Sequence, residues 1–225
     1  MILPADGLDS FMYAKLKKLA RPEFLRAVAY WILRKSTGIQ VHDVLAISLQ
    51  QQQQVALENT ENGYQIFKVS HGMQLPEPLI EQQLNEQSGA SCRELIKQGH
   101  HVYYGVDVCN VAVQLNILHG EIRVDSPTNL LFSTAPEVIF LNYLHTRPEY
   151  RGLGLANRLI EYACRDQGEL GLRRCLAHVR STNYASHRAF GKAGWKRLGK
   201  IVTTTSGRLL STPGCDELGL SVRKP

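Results

Sequence analysis

Cysteine is scarce and unpatterned in this chain. Cys92, Cys109, Cys164, Cys175 and Cys215 make an odd number, and no C-x-x-C pair occurs. That argues against a disulfide framework and gives no zinc-type spacing, so reduced thiols, no metal and a cytoplasmic location are expected. A long apolar run is also missing. The nearest approach, Phe24 to Leu33, is interrupted by Arg26 and falls short of the roughly 18 residues that a bilayer span needs. The N-terminus lacks a basic head followed by a small-residue cleavage site, so no secretory signal is expected. Acidic residues are the minority, 20 Asp and Glu against 26 Lys and Arg, for a formal net charge of +6 and a pI near 9.1. Such a balance suits an anionic partner: a phosphate-rich cofactor, a nucleic acid or a membrane surface.

What is present is enough for one folded domain with an extension. The 225 residues carry 44% hydrophobic and 20% charged residues, ordinary values for a globular core. The positive excess is concentrated early, in Lys15, Lys17, Lys18, Arg21, Arg26, Arg34 and Lys35. Ser10 to Lys35 has helical spacing, with Pro22 suited to the first turn of a second helix and Gly38 to a stop. The glutamine run Gln50 to Gln54 is the only low-complexity stretch and reads as a polar linker. It marks the expected boundary between a helical, basic extension (1–50) and the main domain (55–225). Beyond it, strands are expected at Tyr64 to Val69, within His101 to Ile117, and at Glu121 to Asp125, Val138 to Thr146, Arg174 to Arg180, Trp195 to Thr203 and Glu217 to Val222. Helices are expected at Pro78 to Asn85, Ser91 to Gln98, Gly154 to Gly168 and Tyr184 to Lys192. The alternation predicts an α/β or mixed α+β architecture.

The stretch most suggestive of chemistry follows the apolar strand ending at Thr146. Pro148-Glu149-Tyr150 leads into Arg151-Gly152-Leu153-Gly154-Leu155-Ala156 and then a helix. Glycines at a strand-to-helix turn let the backbone approach a ligand. The free amides and dipole of the helix start form an anion cradle, and Arg151 adds a full charge. A tight turn without a ligand has the same pattern. A dinucleotide fingerprint fails because Asn157 stands where the third glycine belongs, and a P-loop fails for want of Gly-Lys-Ser/Thr.

At this point the chain resembles the GNAT superfamily of N-acetyltransferases. Arg151, Gly154 and Ala156 fill that family's R/Q-x-x-G-x-G/A turn. Asn183, Ser186, Ala189, Phe190, Lys192, Gly194 and Trp195 fall in register with its downstream N-x-x-A-x-x-L-Y-x-K-x-G-F motif. The resemblance runs from about Val55 to the C-terminus and is strongest from Val138 to Trp195. It implies a central, mostly antiparallel twisted sheet with a splayed strand pair, flanked by helices, which binds acetyl-CoA as acyl donor. By position, Leu144, His145 and Thr146 would hold the pantetheine arm, and Gly152 to Ala156 the pyrophosphate. Asn183 would reach the cofactor near its pantetheine or thioester end, and Ser186 and Phe190 would also contact the cofactor. The implied reaction is direct transfer of an acetyl or other short acyl group to a primary amine.

Two positions depart from the family pattern. Phe190 stands where a tyrosine general acid is usual, which leaves Tyr184 or unassisted departure of the thiolate. Tyr143, preceded by Asn142, stands where a carboxylate is usual. Tyr143 and His145 should share a strand face, and His145 is the leading candidate base because an imidazole titrates near neutrality; Glu137 and Asp107 are weaker candidates. The acceptor, a small-molecule or peptide amine, has no signature. A non-catalytic module that senses coenzyme A or acyl-CoA is the alternative. For the basic N-terminal helices, packing on the domain or on a second copy competes with peripheral contact between residues 10–35 and an anionic membrane. Nucleic-acid binding has only charge behind it.

Overall fold

A computed structural model describes residues 22–50, 60–61, 63–124 and 129–225. The expected helix from Ser10 to Arg21 and the glutamines at 51–54 lie outside the described residues. Helix α1 (Pro22–Thr37) begins at the proline and ends at Gly38, whose amide donates to the Arg34 carbonyl. Strand β1 (Ile39–Ser48) follows at once. This corrects the expected boundary, because residues 39–48 are not part of a helical extension. Val41, Val44, Leu45, Ala46 and Ile47 give this segment strand character, and seven of its ten residues are buried between two neighbours.

Nine strands form the main sheet, in the order β11-β10-β1-β9-β8-β5-β4-β3-β2. They are β2 (Thr60–Glu61), β3 (Tyr64–Val69), β4 (His101–Asp107), β5 (Asn110–His119), β8 (Val138–Thr146), β9 (Arg174–Arg180), β10 (Lys196–Thr204) and β11 (Leu209–Ser211), with β1. Every pairing is antiparallel except β8 with β9. A second sheet of three antiparallel strands, β12-β7-β6, contains β6 (Glu121–Val124), β7 (Leu130–Thr134) and β12 (Leu220–Arg223). The expected strand at Glu217 to Val222 is therefore shorter, because Asp216–Leu218 forms a 3₁₀ turn before it.

The sheet is covered on both faces. Helix α4 (Leu155–Glu169) buries Leu155, Leu159, Ile160, Ala163 and Cys164, a helical stripe, against Leu115, Ile117, Ile139 and Leu141. Helix α5 (Tyr184–Lys192) adds Phe190, which meets Trp195 edge-on at 4.8 Å. On the opposite face, α2 (Pro78–Ser88) and α3 (Cys92–Lys97) pack on β4 and β5. The small sheet covers the other half of that face through Ile122, Leu130, Phe132 and Leu220. The architecture is mixed α+β with a mostly antiparallel sheet flanked by helices, as expected.

Polar groups inside this frame are of two kinds. Asp166 of α4 accepts from Lys68 Nζ at 2.8 Å and from the Tyr103 hydroxyl, while Gln167 donates to Tyr103. This network ties β3 and β4 to α4 through a carboxylate that keeps 27% of its side-chain surface exposed. His42, His100 and His178 are of the other kind. Burial is the main cause of lowered pKa values, to about 4 for His42 and His100 and about 3 for His178, with Arg180 adding to the effect at His42. Cys109, expected in a strand, is instead exposed in the β4–β5 turn, where Val108 takes φ 53°.

Two outcomes follow for stability. Asp166→Ala leaves a half-buried ammonium and a buried phenol without their acceptor, and is expected to cost about 1–3 kcal/mol in urea unfolding. A change under about 0.5 kcal/mol would show the network to be inert. The three buried histidines are neutral when folded and protonate near 6.5 when unfolded. Their contribution is complete above that pH and is lost as pH falls towards 4 to 3. Urea midpoints should therefore drop between pH 7 and 4, and His178→Asn should flatten the drop; equal slopes for both proteins would contradict this assignment.

Candidate functional site

The site begins where two neighbouring strands part. β8 and β9 pair only from Val138 with Arg174 to Leu141 with Ala177. Beyond that, β8 keeps its pairing with β5 and β9 keeps its pairing with β1, so their facing edges stand open. A bulge marks the spot: Tyr143 is opposite Asn116 and Leu141 opposite Ile117, leaving Asn142 as the extra residue. The bulge also changes which side chains face α4. Ile139 and Leu141 do so before it and Leu144 after it, which turns Tyr143 and His145 to the other face. Those two rings stack with centroids 6.4 Å apart, so the expected shared face is present.

The opening leads into a groove of about 830 Å³ between the glycine turn and α5. Its walls include Leu144, His145, Thr146, Arg151, Gly152, Gly154, Leu155, Ala156 and Ser186, all singled out from sequence. Gly152 (φ +86°) and Gly154 (φ +78°) have nothing within 4 Å of where a Cβ would stand. No side chain among the described residues caps the α4 N-terminus, which leaves its first amides to an anion. Arg151 Nε donates to the Thr146 carbonyl at 3.2 Å, which holds the guanidinium at the strand end. Leu153 does not line the groove; its side chain is exposed.

Sequence reading missed the far wall. Ala185, Arg188, Ala189 and Lys192 form one face of α5 towards the groove. The i, i+3, i+4, i+7 spacing was there to be read, and it places Arg188 and Lys192 beside Arg151. Asn157 Nδ2 donates to the Ala189 carbonyl at 3.2 Å and fixes α4 against α5. Among the described residues, the lining therefore carries three cations and no carboxylate.

A smaller cavity of about 150 Å³ occupies the gap between the strands, lined by Asn142, Tyr143, Leu144, His178, Arg180, Asn183, Ser186 and Phe190 among others. Leu144 and Ser186 border both spaces. Asn183 caps α5, its Oδ1 accepting from the Ser186 amide at 3.2 Å, so its amide nitrogen is the end left for a ligand. Phe190 is buried and apolar at the place of the expected phenol. Tyr184, the alternative acid, lines neither space. The Tyr143 hydroxyl donates to the Gln87 carbonyl, and burial pushes its pKa up to about 12, so it is not positioned as a base. His145 has a pKa lowered by burial and by Arg151 and Arg147, which keeps its imidazole neutral near pH 7. Glu137 is exposed at the strand start, and Asp107 accepts from Tyr150 at 3.4 Å away from the gap. His178 and Arg180, on the facing strand, were not legible in sequence as site residues.

Comparison with known proteins gives the same region. Residues 112–195 match the sequence model of the acetyltransferase (GNAT) family. A search of curated proteins found no match. Among solved structures, a putative GNAT-family acetyltransferase from Novosphingobium aromaticivorans is 14% identical over 83% of this chain and 66% of its own, with a TM-score of 0.47. A GCN5-related N-acetyltransferase from Sphaerobacter thermophilus is 15% identical over 78% of this chain and 55% of its own, with a TM-score of 0.48. A Bacillus subtilis acetyltransferase in complex with CoA is 11% identical over 58% of this chain and 75% of its own, with a TM-score of 0.43. The chain thus spans 66% and 55% of the length of the first two. The matched segment opens in β5, runs through the bulged β8, the glycine turn and α4, and closes on Trp195; over these residues, somewhat more than a third of the chain, the protein is similar to the acetyltransferase (GNAT) family.

Proposed function

We propose that the protein is an acyl-CoA-dependent N-acyltransferase that passes an acetyl or other short acyl group directly to a primary amine. The observation that carries this reading is the junction of two features: an uncapped helix start with open glycines, and an unpaired strand edge ending in the same groove. A coenzyme A thioester needs both. Its pyrophosphate takes the amides of Gly152 to Ala156 and the charge of Arg151, Arg188 and Lys192. Its amide-bearing arm takes the free edge of β8 at Leu144, His145 and Thr146, as an added strand would. The bound thioester supplies the activated acyl group. Asn183 offers an amide donor beside the gap, with Ser186 next to it, to polarise the acyl carbonyl or meet the departing sulfur.

Proton handling falls to few groups. His145 is assigned as the base, acting directly or through one water. Phe190 has no proton to give, so a thiolate leaves without help from that position. Those two facts also support a second reading, a non-catalytic coenzyme A sensor. The readings differ in the release of free thiol from acetyl-CoA across a set of amines: turnover supports the transferase, and tight binding without turnover supports the sensor.

Gly154→Asp tests the donor site. Aspartate tolerates a left-handed backbone better than most residues, so the fold should survive while a carboxylate enters the cradle. Acetyl-CoA affinity by calorimetry should fall at least about a hundredfold; unchanged affinity would refute the site. His145 is tested by the pH–rate profile. Activity should decline as pH falls through a value below 6.5, and His145→Gln should remove that limb and lower kcat about 10²-fold. An identical limb in the variant would assign the base elsewhere.

A further inference from the structure

The two spaces of the site differ in charge, and the difference bears on the acceptor. Among the described residues, the cavity between β8 and β9 is lined by one cation, Arg180, and by no carboxylate. Its other polar groups are neutral: Asn142, Tyr143, His178, Asn183 and Ser186. Along β9, Leu176, His178 and Arg180 alternate onto the face away from α4. On that face β1 sets His42 directly opposite Arg180, and the His42 and His178 rings lie 5.4 Å apart. One step further, β1 sets Gln40 opposite Thr203 of β10. A continuous polar strip therefore leads from the gap across three strands.

The strip is unusual because its members do not satisfy one another. Both ring nitrogens of His42, Nδ1 of His178, both amide atoms of Gln40 and Oγ1 of Thr203 are buried without a hydrogen-bond partner among the described residues. Gln40 and Thr203 are 1% and 0% exposed. Polar atoms left unmatched at such depth weaken a fold and are characteristic of places where a ligand completes the bonding. Asn142 Oδ1, at the bulge, is unmatched in the same way and faces the same gap.

We infer that the gap at the end of this strip is the acceptor subsite and that it takes an amine which also carries a carboxylate, held by Arg180 with His178 and Asn142 of the cavity wall, rather than a polyamine or a lysine-rich peptide. The inference rests on the acyl-CoA reading, which places the reacting group in the same gap. A guanidinium matches a carboxylate in shape and charge. A second ammonium on the acceptor would meet Arg180 with no carboxylate in the lining to offset the repulsion. The neutral imidazole of His178 can donate or accept without adding charge, which suits the polar remainder of such a molecule.

The test uses the full chain saturated with coenzyme A and three matched pairs of probes: glycine and methylamine, lysine and cadaverine, phenylalanine and phenethylamine. Binding is followed by calorimetry, which does not depend on turnover. In each pair the carboxylate-bearing member should bind at least about tenfold more tightly. Arg180→Gln should abolish the difference and Arg180→Lys should keep part of it, with coenzyme A affinity in the same titration reporting that the fold survives. Equal binding within the pairs, preference for the decarboxylated amines, no binding of any probe, or a preference that outlasts Arg180→Gln would overturn the inference. An Arg180-dependent preference in a protein that does not bind coenzyme A would uphold the subsite and refute the donor reading. Failure of both ligands to bind would refute both.

Discussion

The structure depends on one broken pairing. β8 and β9 sit side by side at the middle of a nine-stranded sheet, yet they share hydrogen bonds over only four residue pairs. Past that point each has a row of backbone donors and acceptors facing open space. Backbone groups need partners, and along this edge the neighbouring strand does not supply them. The bulge at Asn142 is what permits the divergence: it adds a residue to β8, bends the strand, and exchanges the faces on which its side chains emerge. The parting can persist because everything around it is firmly paired, β8 to β5 and β9 to β1, with α4 packed across β4, β5 and β8.

That arrangement divides labour by sheet face. The glycine turn and α5 supply positive charge and bare amides to one side of the gap, a surface suited to phosphates. The other side is assembled from β1, β9 and β10, and its polar groups are neutral histidines and amides with a single guanidinium at the edge. The division explains why β1 matters. A strand from the N-terminal part of the chain, not the extension its neighbourhood suggested, lies between β9 and β10 and contributes His42 and Gln40.

Local features were readable and non-local ones were not. Val138 to Thr146, Arg174 to Arg180 and Tyr184 to Lys192 were legible to the residue, because a long apolar run, a short apolar run between arginines and a helical stripe are each bounded by turn-forming residues. The glycine turn was legible because its chemistry is written in consecutive residues. β1 was missed since the glutamine run beside it dominates the local composition, while its partners lie more than 120 residues later. β7, only Leu130–Thr134, was too short to register. The bulge at Asn142 leaves no mark in a single sequence, so the facing of His178 and Arg180 into the gap depended on knowing which strands are adjacent. Tyr143 was placed on the correct face, but its bond to the Gln87 carbonyl joins it to a helix that the strand pattern does not mention.

The central claim is that the open edge between β8 and β9 is where an acyl thioester lies. A crystal structure with a non-hydrolysable acetyl-CoA analogue tests this most directly. The account predicts the pyrophosphate on the amides of Gly152 to Ala156, the pantetheine arm along Leu144 to Thr146, and the acyl carbon in the gap beside Asn142 and Asn183. An analogue bound anywhere else, or bound with β8 and β9 closed into a continuous ladder, would contradict it.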